Sequence, residues 1–281
     1  MSVVAEGRAA GGPADAGAPL LGLRGISKHF GPVRALNYVD LDIPAGQITA
    51  LVGDNGAGKS TLIKLISGIW APTDGQISWE GAPVDIRTPK EADQLGIATV
   101  YQDLALCDNL DIVQNMFLGH ELLRSRLLDE AAMELGAKAA LNELSVVTVR
   151  SIRQTVGSLS GGQRQAVAVA KAVMSNAKLV ILDEPTAALG VSQTAMVLDL
   201  IRQLASRGVA VLVVSHNLTD MFAVADNVAV LYLGRIAGTG AASDLDAQTV
   251  VELITTGTTS RAASAAAPIA AGGTDLPDAE G

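Results

Sequence analysis

Residues 53–60 have the types and spacing of a phosphate-binding loop. Glycines allow backbone N–H groups to approach phosphate oxygens closely, and the start of a helix favours an anion. Lys59 is predicted to bridge the β- and γ-phosphates of a nucleotide, the Ser60 hydroxyl to bind Mg²⁺, and Thr61 to complete the nucleotide-binding set. A glycine-rich turn with a surface lysine is disfavoured, because an apolar strand precedes the loop and an amphipathic helix follows it. The loop reads Gly53, Asp54, Asn55, Gly56, Ala57, Gly58, Lys59 and Ser60 and fits the P-loop pattern at every fixed position.

Two carboxylates, Asp183 and Glu184, follow the apolar run at residues 179–182. Acids at the carboxyl end of a buried parallel strand face the ligand crevice of the sheet. Asp183 is therefore predicted to hold Mg²⁺ through water, and Glu184 to polarise the attacking water as a general base. Taken alone, the pair would fit a solvated strand end. The P-loop earlier in the chain favours the catalytic interpretation.

A third motif consists of Leu159, Ser160, Gly161, Gly162 and Gln163, followed by a predicted helix from residue 164 to about residue 175. Serine is a good N-cap, and two glycines expose the first N–H groups of a helix to a phosphate. Placed before an Asp-Glu strand, the motif resembles the signature sequence of ATP-binding-cassette (ABC) proteins. The resemblance implies that the signature of one chain faces the γ-phosphate bound to another. A homodimer, or a pair with a second ABC ATPase chain, would then complete each ATP site.

The same resemblance gives roles to three further residues. Gln102, after the strand predicted at residues 97–101, matches the glutamine that senses magnesium and water and couples the site to the helical subdomain. His216 matches the histidine that contacts the γ-phosphate. Phe30 matches an aromatic ring that stacks on adenine, although a core Phe explains it nearly as well. The predicted cofactors are ATP and Mg²⁺; the catalytic set is Lys59, Gln102, Glu184 and His216, and the metal set is Ser60, Gln102 and Asp183.

One position departs from the family pattern. Where the family commonly has Leu-Asp, with an aspartate that crosses the dimer interface, residues 187–190 are Ala-Ala-Leu-Gly. The contact made by that carboxylate is expected to be absent or moved. With residues 101–104 and 115–119, this variant resembles the ATPases of bacterial simple-sugar uptake systems, such as those for ribose, xylose or fructose. Many of those are fused duplicates, whereas each motif occurs once here, so the second half is expected in another chain.

Hydrophobic periodicity predicts the elements that position these residues. Residues 39–43 alternate between apolar and acidic, which indicates a half-buried strand of an antiparallel sheet. Nearly continuous apolar runs at residues 48–52, 179–182, 209–214 and 228–233 indicate parallel strands covered on both faces. The predicted class is α/β: a P-loop NTPase core with a mainly parallel central sheet, an N-terminal antiparallel β-subdomain and an inserted helical subdomain. Leu62, Leu65, Ile66 and Ile69 have the spacing of a helix between the first two of these runs.

The domain limits follow from composition. Residues 1–19 and 258–281 have few large apolar side chains and are predicted to be disordered tails on an ABC ATPase domain at 20–257. The helical subdomain is placed at about 105–165, with no strong strand before Val146. Five of its acids are interpreted as a solvated face rather than as paired catalytic acids, because nothing in the sequence draws them together: Asp108, Asp111, Glu121, Glu130 and Glu134. Its regularly placed leucines are Leu122, Leu123, Leu127, Leu128, Leu135 and Leu141.

Charge and composition limit the partners. The formal net charge is −9 without a dense basic run, so nucleic acid is not an expected partner. No stretch of about 18 apolar residues and no secretory signal are found, which predicts a soluble, cytoplasmic chain. Cys107, the single cysteine, permits no internal disulfide and is interpreted as apolar filler. His29 and His120 are interpreted as ordinary surface residues.

Three functions remain to be weighed. In the first, the chain powers a transporter from the cytoplasmic face of the cell membrane, with a multi-span permease and an extracytoplasmic solute-binding protein as partners. The second, a soluble ABC protein that remodels ribosomes or nucleic acid, usually has two cassettes, long coiled-coil inserts or basic arms, none of which fits here. The third, a nucleotide-binding regulator without turnover, is disfavoured because Lys59, Asp183, Glu184 and His216 are all present. Import of a monosaccharide follows from the resemblance, and the choice of solute belongs to the permease and binding protein.

Overall fold

The structure, a computed structural model, describes residues 18–144, 151–174 and 176–258. Residues 1–17 and 259–281 of the two predicted tails, and Val146, lie outside these ranges. In chain order the elements are β1 (Leu21–Phe30), β2 (Val33–Ile43), β3 (Ile48–Val52), α1 (Lys59–Ile66), β4 (Asp74–Trp79), β5 (Ala82–Val84), α2 (Pro89–Leu95), β6 (Ile97–Val100), α3 (Ile112–Phe117), β7 (Leu123–Arg124), β8 (Leu127–Leu128), α4 (Glu130–Glu143), α5 (Gly161–Val173), β9 (Leu179–Asp183), α6 (Val191–Ser206), β10 (Ala210–Ser215), α7 (Leu218–Val224), β11 (Asn227–Tyr232), β12 (Arg235–Ala241) and α8 (Ala247–Thr256). A 3₁₀ turn, Val156–Ser158, precedes α5.

The first strands form an antiparallel sheet in the order β2-β1-β4-β5. Along β2, Val39, Leu41 and Ile43 are buried while Asp40 and Asp42 face solvent. The alternation predicted for this strand is therefore confirmed, since one face of the sheet covers apolar side chains of α1 and of the central sheet.

A six-stranded sheet forms the centre, in the order β12-β11-β3-β10-β9-β6. Its strands are parallel except for β12, which pairs antiparallel with β11. Every residue of β3 and β10 is buried, because elements cover both faces of the sheet. The predicted parallel sheet is confirmed. The carboxyl ends of β3, β6, β9 and β10 lie at one edge, which is where ligands bind in sheets of this kind.

Helix α1 begins at Lys59, within the P-loop motif at residues 53–60. Leu62, Leu65 and Ile66 are buried, as their helical spacing predicts. Ile69 was expected on the same apolar face, and this expectation is wrong. The helix ends at Ile66, Gly68 follows in the left-handed conformation with φ 73°, and the Ile69 side chain is exposed.

Between β6 and β9 lies a region that we call the helical region, built from α3, α4, α5 and a short hairpin. The hairpin joins β7 to β8 and corrects the expectation that this stretch is helical throughout. Ser125 and Arg126 turn the chain with positive φ values of 53° and 72°, as two-residue hairpin turns require. Asp129 closes the hairpin through its N–H to Leu122 O and then caps α4. The leucines have a spacing compatible with one helix, but the positive φ values at Ser125 and Arg126 turn the chain, and α4 begins only after Asp129.

Three acids of the helical region form ion pairs with one arginine, Arg153, which no sequence pattern predicted. The Arg153 guanidinium lies 3.1 Å from Asp111, 2.9 Å from Glu130 and 2.6 Å from Glu134. The hydrogen bond to Glu134 is the largest of several effects that raise the pKa of Arg153. These acids are far apart in sequence from Arg153, so pattern analysis along the chain gives no sign of the cluster. Outside it, Arg164 pairs with Asp108, and Glu121 accepts a hydrogen bond from the Gly119 N–H.

Within residues 18–144, 151–174 and 176–258, no helix combines the length and apolar character that crossing a bilayer requires.

Candidate nucleotide-binding site

The P-loop connects β3 to α1 and encloses the head of Lys59. Lys59 is 8% exposed, and its Nζ donates hydrogen bonds to Gly53 O at 2.7 Å and Asp54 O at 3.0 Å. Ser60 lies at the exposed start of α1 and Thr61 beside it is half-buried. A cation is thus held within a loop whose N–H groups belong to a helix N-terminus, an arrangement that favours phosphate.

The glycines of this loop serve the packing of neighbouring strands as well as ligand approach. A Cβ at Gly53 would lie 2.3 Å from the backbone oxygen of Leu231, on β11. At Gly58, φ is 109° and a Cβ would lie 2.7 Å from Ala35 O, on β2. The sequence pattern attributed these glycines to phosphate binding alone. Their close contacts show that the loop also needs them in the absence of ligand.

Asp183 and Glu184 stand at the carboxyl end of β9. Burial is the largest effect that raises the pKa of Asp183, and the neighbouring Glu184 adds to it, while Lys59 and Lys64 oppose the rise. Glu184 itself adopts a left-handed φ of 49°, and its N–H donates to Val214 O at 2.8 Å. The backbone is therefore turned sharply at this residue and fixed to β10.

The Glu184 carboxylate is held by two residues at the end of β10 and just after it. Its Oε2 lies 2.9 Å from His216 Nδ1 and accepts a 3.4 Å hydrogen bond from Ser215 Oγ. The Glu184 side chain is 14% exposed and that of His216 is 68% exposed. The structure thus brings together the predicted base and the predicted γ-phosphate contact, leaving the histidine open to solvent and to a ligand.

Two features of this site were not predicted from the sequence: the contact of Ser215 with Glu184, and a hydrogen bond between Thr186 and Asp220. Ser215 is fully buried at the end of β10, directly before His216, and a serine closing an apolar strand was the available signal. Thr186 Oγ1 donates to Asp220 Oδ2 at 2.8 Å and so ties the loop after Glu184 to α7. No sequence pattern links these two positions.

Gln102 and Phe30 both lie on the surface. Gln102 is exposed and is the second residue after β6, and Tyr101 before it donates to Ser67 Oγ at 2.9 Å. Phe30 ends β1 with 40% of its surface exposed, which disfavours the core alternative. Its ring meets Trp70 edge to face at a centroid distance of 4.8 Å, a partner that the sequence did not suggest.

Ser160 caps α5 from an exposed position. Its Oγ accepts from Gln163 N at 3.3 Å, and Gln163 Oε1 accepts from Ser160 N at 2.9 Å, which forms a capping box. The helix therefore begins at Gly161, three residues before the predicted start. A Cβ at Gly161 would lie 2.9 Å from Leu189 Cδ2, so the signature packs closely against the loop that follows Glu184.

Gly162, the next residue, also packs closely against a neighbouring element. A Cβ at Gly162 would approach Met196 Cε to 2.7 Å and Gln193 Cβ to 3.1 Å, both on α6. The signature is therefore seated on the start of α6, whereas Lys59, Asp183 and Glu184 gather at the edge of the sheet.

The donor set is compatible with Mg²⁺. The carboxylate of Asp183 and the hydroxyl of Ser60 supply hard oxygen ligands, and Mg²⁺ commonly takes one or two of these together with substrate phosphates and water. No group of three or more His, Cys, Asp or Glu residues able to hold a metal occurs in the described part of the chain. An all-protein metal cage is thus not the type of site found there. The raised pKa of Asp183 fits a carboxylate that a neighbouring cation would relieve.

Comparison with known proteins identifies the family. Residues 36–187 match the family described as ABC transporter. This chain belongs to that family. A fructose import ATP-binding protein of Rhizobium meliloti is 50% identical over 224 residues, which are 77% of this chain and 86% of the relative. A xylose/arabinose import ATP-binding protein of Sulfolobus acidocaldarius is 43% identical over 84% of this ABC chain and 94% of its own length.

The chain spans about half the length of a third relative. A ribose import ATP-binding protein of Rhizobium meliloti is 40% identical over 236 residues, which are 84% of this ABC chain but 46% of that protein. The remainder of the ribose protein thus has no counterpart in the aligned part of this chain.

Solved structures confirm the fold. A nucleotide-free ATP-binding cassette from an ABC transporter aligns with a TM-score of 0.70 at 25% identity, over 79% of this chain and 91% of its own. The cbiO1 protein of Clostridium perfringens, part of the ABC transporter complex cbiONQ, aligns with a TM-score of 0.72 at 25% identity, over 85% and 96%. The predicted α/β class is confirmed, and the chain is an ABC-type ATPase.

Proposed function

We propose that this ATPase powers the import of a monosaccharide through a partner membrane permease. Identity of 50% to a fructose import protein over 77% of the chain supports the transport role. The observation that supports hydrolysis is the position of Glu184, which lies 2.9 Å from His216 at the edge of the sheet where the P-loop begins.

Each residue has a distinct proposed part in hydrolysis. Lys59 neutralises the β- and γ-phosphates, and Ser60 and Asp183 hold the metal. Bound Mg²⁺ supplies positive charge to the phosphate oxygens. Glu184 takes a proton from the attacking water, and its carboxylate is oriented for this by the contact with His216. Gln102 senses the metal and water, and the exposed ring of Phe30 stacks on adenine.

Residues 160–163 are proposed to bind the γ-phosphate held by a second chain. A helix leaves its first N–H groups without intrahelical partners, and the capping box satisfies that of Gln163. The N–H groups of Gly161 and Gly162 are thus available to an anion at an exposed helix start. Because the signature is seated on α6 rather than on the P-loop, two chains facing each other would complete each site.

Residues 101–106, which follow β6 and include Gln102, are called the Gln102 loop. A groove beside this loop is proposed to receive the permease. It has a volume of about 830 Å³ and lies between the core and the helical region, where apolar side chains such as Leu104, Met116 and Phe117 line it. A cytoplasmic segment of the permease seated there would hold the ATPase at the inner face of the membrane, with a solute-binding protein on the other side. A movement of the helical region would then displace the bound permease segment directly. Nucleic acid remains a poor partner for a chain of net charge −9.

Transport itself is tested by reconstitution. The chain is reconstituted into vesicles with a candidate permease, so that the ATPase and ATP are inside and the binding protein is outside. Uptake of labelled fructose, xylose and ribose from the outside is then measured. We expect ATP-dependent uptake of one sugar, and none with Glu184→Gln. ATP turnover that no sugar and no permease alters would contradict the transport role.

The two-chain site is tested by mixing. A Lys59→Ala chain and a Ser160→Arg chain, each inactive alone, are combined in the presence of the permease. The first supplies an intact signature and the second an intact P-loop, so one complete site can form. Partial recovery of hydrolysis is expected. Full activity of Ser160→Arg by itself would contradict the proposal, since a bulky side chain should block the helix start.

A further inference from the structure

Asn115 anchors the chain that leaves the Gln102 loop. It lies on α3 and is fully buried. Its Oδ1 accepts from Cys107 N at 2.7 Å, and its Nδ2 donates to Cys107 O at 3.0 Å, Leu110 O at 3.3 Å and Asp111 O at 3.0 Å. One side chain thus fixes both ends of residues 107–111, which we call the tie segment.

The opposite side of the tie segment is bonded to the turn before the signature. Val156 N donates to Leu110 O at 3.0 Å and Gly157 N to Asp108 O at 2.9 Å. A Cβ at Gly157 would lie 3.0 Å from that same Asp108 oxygen, so a side chain at this position would crowd the contact. The 3₁₀ turn bonded in this way, Val156–Ser158, ends two residues before Ser160.

Charged side chains strengthen the same junction. Arg153 pairs with Asp111 on the tie segment at 3.1 Å, and also with Glu130 and Glu134 on α4. On the other flank, Arg164 of α5 pairs with Asp108 at 3.3 Å and donates to Gly157 O at 3.0 Å. The tie segment is therefore held to α3, α4 and α5 at once.

We propose that Asn115 and Arg153 are positioning residues, which make the tie segment a rigid link between the Gln102 loop and the signature. Ser160 follows the pre-signature turn closely, so a displacement of the Gln102 loop moves the helix start that is meant to face the γ-phosphate. A network of packed and hydrogen-bonded groups is the physical means by which such coupling travels. The inference rests on the proposed role of residues 160–163 in hydrolysis.

The first test is Arg153→Gln, which removes the charge at a partly exposed position and leaves the core intact. ATP turnover of the full chain is measured against MgATP concentration. We expect kcat to fall about tenfold with KM for ATP within about twofold, because a misplaced group lowers kcat while the P-loop stays unaltered. Arg153→Lys, which keeps the charge without the guanidinium fork, should recover part of the loss. The matched control is Arg24→Gln, another exposed arginine paired with an aspartate, at 2.7 Å, and it should retain wild-type kcat.

The second test asks whether both residues act on one link. If they do, kcat of the Asn115→Ala, Arg153→Gln double variant falls less than the two single effects combined. Hydrogen exchange of the full Arg153→Gln chain should also quicken at the amides of Val156 and Gly157, which donate to the tie segment. Wild-type kcat in Arg153→Gln, or a rise in KM as large as the fall in kcat, would overturn the inference, even if Asn115→Ala does not fold.

A Ser160→Arg chain in the same assay distinguishes failure of the proposed signature role from failure of the proposed positioning role of the tie segment. If Ser160→Arg keeps full turnover, the proposed role of the signature has failed. If it is inactive while Arg153→Gln turns over normally, the signature role stands and the positioning role of the tie segment is wrong.

Discussion

The sheet edge and the helical region hold the residues proposed to act on ATP by different physical means. At the edge, Lys59 is 8% exposed and the Glu184 side chain is 14% exposed, and both are fixed by groups at the ends of buried strands. In the helical region, Ser160 is exposed, and the Arg153 side chain that braces the preceding turn is 36% exposed. Ion pairs in contact with solvent contribute little to stability and are screened by salt. The packing of buried strands does not depend on salt in this way.

This difference indicates which half of the site is preformed. Buried parallel strands position the P-loop, Asp183 and Glu184 before any ligand arrives. The signature depends on a capping box, a short turn and exposed ion pairs, which belong to the less stable parts of a protein. Movement during a cycle of ATP binding and hydrolysis is therefore expected in the helical region, with the sheet edge as the fixed reference.

Glu184→Gln should have the largest effect, and it acts on the sheet edge alone. Removal of a general base lowers the rate by about 10²- to 10⁴-fold. The phosphate contacts of Lys59 remain, so ATP affinity should be kept. Steady-state hydrolysis and ATP titration are measured on the same preparation. A variant that hydrolyses ATP at near the wild-type rate would remove Glu184 from its proposed role.

Lys59→Ala should act on binding rather than on the chemical step. A hydrogen bond to a charged group contributes about 1.5–3 kcal/mol, which corresponds to a decrease of roughly 10- to 100-fold in ATP affinity. Hydrolysis at low ATP should fall with it. Isothermal titration provides the measurement, with Lys138→Ala on the exposed face of α4 as control. Unchanged affinity would show that this lysine does not contact phosphate.

The contrast between the two regions also explains what the sequence could predict. Strands β3, β9, β10 and β11 were placed within one or two residues, because strands covered on both faces leave long apolar runs. Motifs that lie at their carboxyl ends are predictable for the same reason. The left-handed Glu184 and the buried Ser215 beside it depend on pairing between strands, which a local pattern does not contain.

Prediction was poorest in the helical region. Leucines at 122–128 suit a helix by spacing, and the hairpin forms because two residues adopt positive φ and Asp129 starts a new helix. The tie segment and Arg153 are joined by contacts between residues distant in sequence. Structure held by long-range polar contacts leaves little periodic signal, so the sequence showed the signature but not what supports it.

Asp183→Asn should stabilise the sheet edge in the absence of Mg²⁺. Burial raises the folded-state pKa of Asp183 above the ordinary value of 3.8. A raised acid pKa means that stability is greatest below the unfolded pKa and is lost as pH rises through the folded one. At pH 7 the asparagine variant should therefore have a higher melting temperature than the wild-type chain, because the buried carboxylate charge is removed.

Thermal unfolding at two pH values checks the sign. The gain from Asp183→Asn should shrink as the pH is lowered and should vanish below the unfolded-state pKa of about 3.8, where the wild-type carboxyl is protonated in both states. An equal or lower melting temperature at pH 7 would contradict the assignment. So would a gain that is the same at both pH values. A stabilising change at Asp183 that abolishes hydrolysis would show that the rigid half of the site is maintained at a cost to stability.

Gly190→Asp should have the smallest effect on the folded chain, and it bears on how the two halves of the site meet. Gly190 is exposed and caps α6 with φ −74° and ψ 163°, a conformation open to any residue. A Cβ added there would meet nothing within 4 Å, so a side chain fits without strain. Aspartate is a better N-cap than glycine by a few tenths of a kcal/mol. It also supplies the carboxylate that the family commonly places at the dimer interface. In a Glu184→Gln background, ATP-dependent dimerisation measured by sedimentation should therefore be stronger with aspartate at this position than with glycine. Gly190→Asn is the matched control, because it caps the helix without charge and should stabilise α6 without strengthening the dimer.

Equal dimerisation with glycine, aspartate and asparagine at position 190 would mean that residues other than Gly190 make the contact between the two ATPase chains. The signature, and the tie segment proposed to position it, would then be the next residues to test for the contact that controls dimerisation.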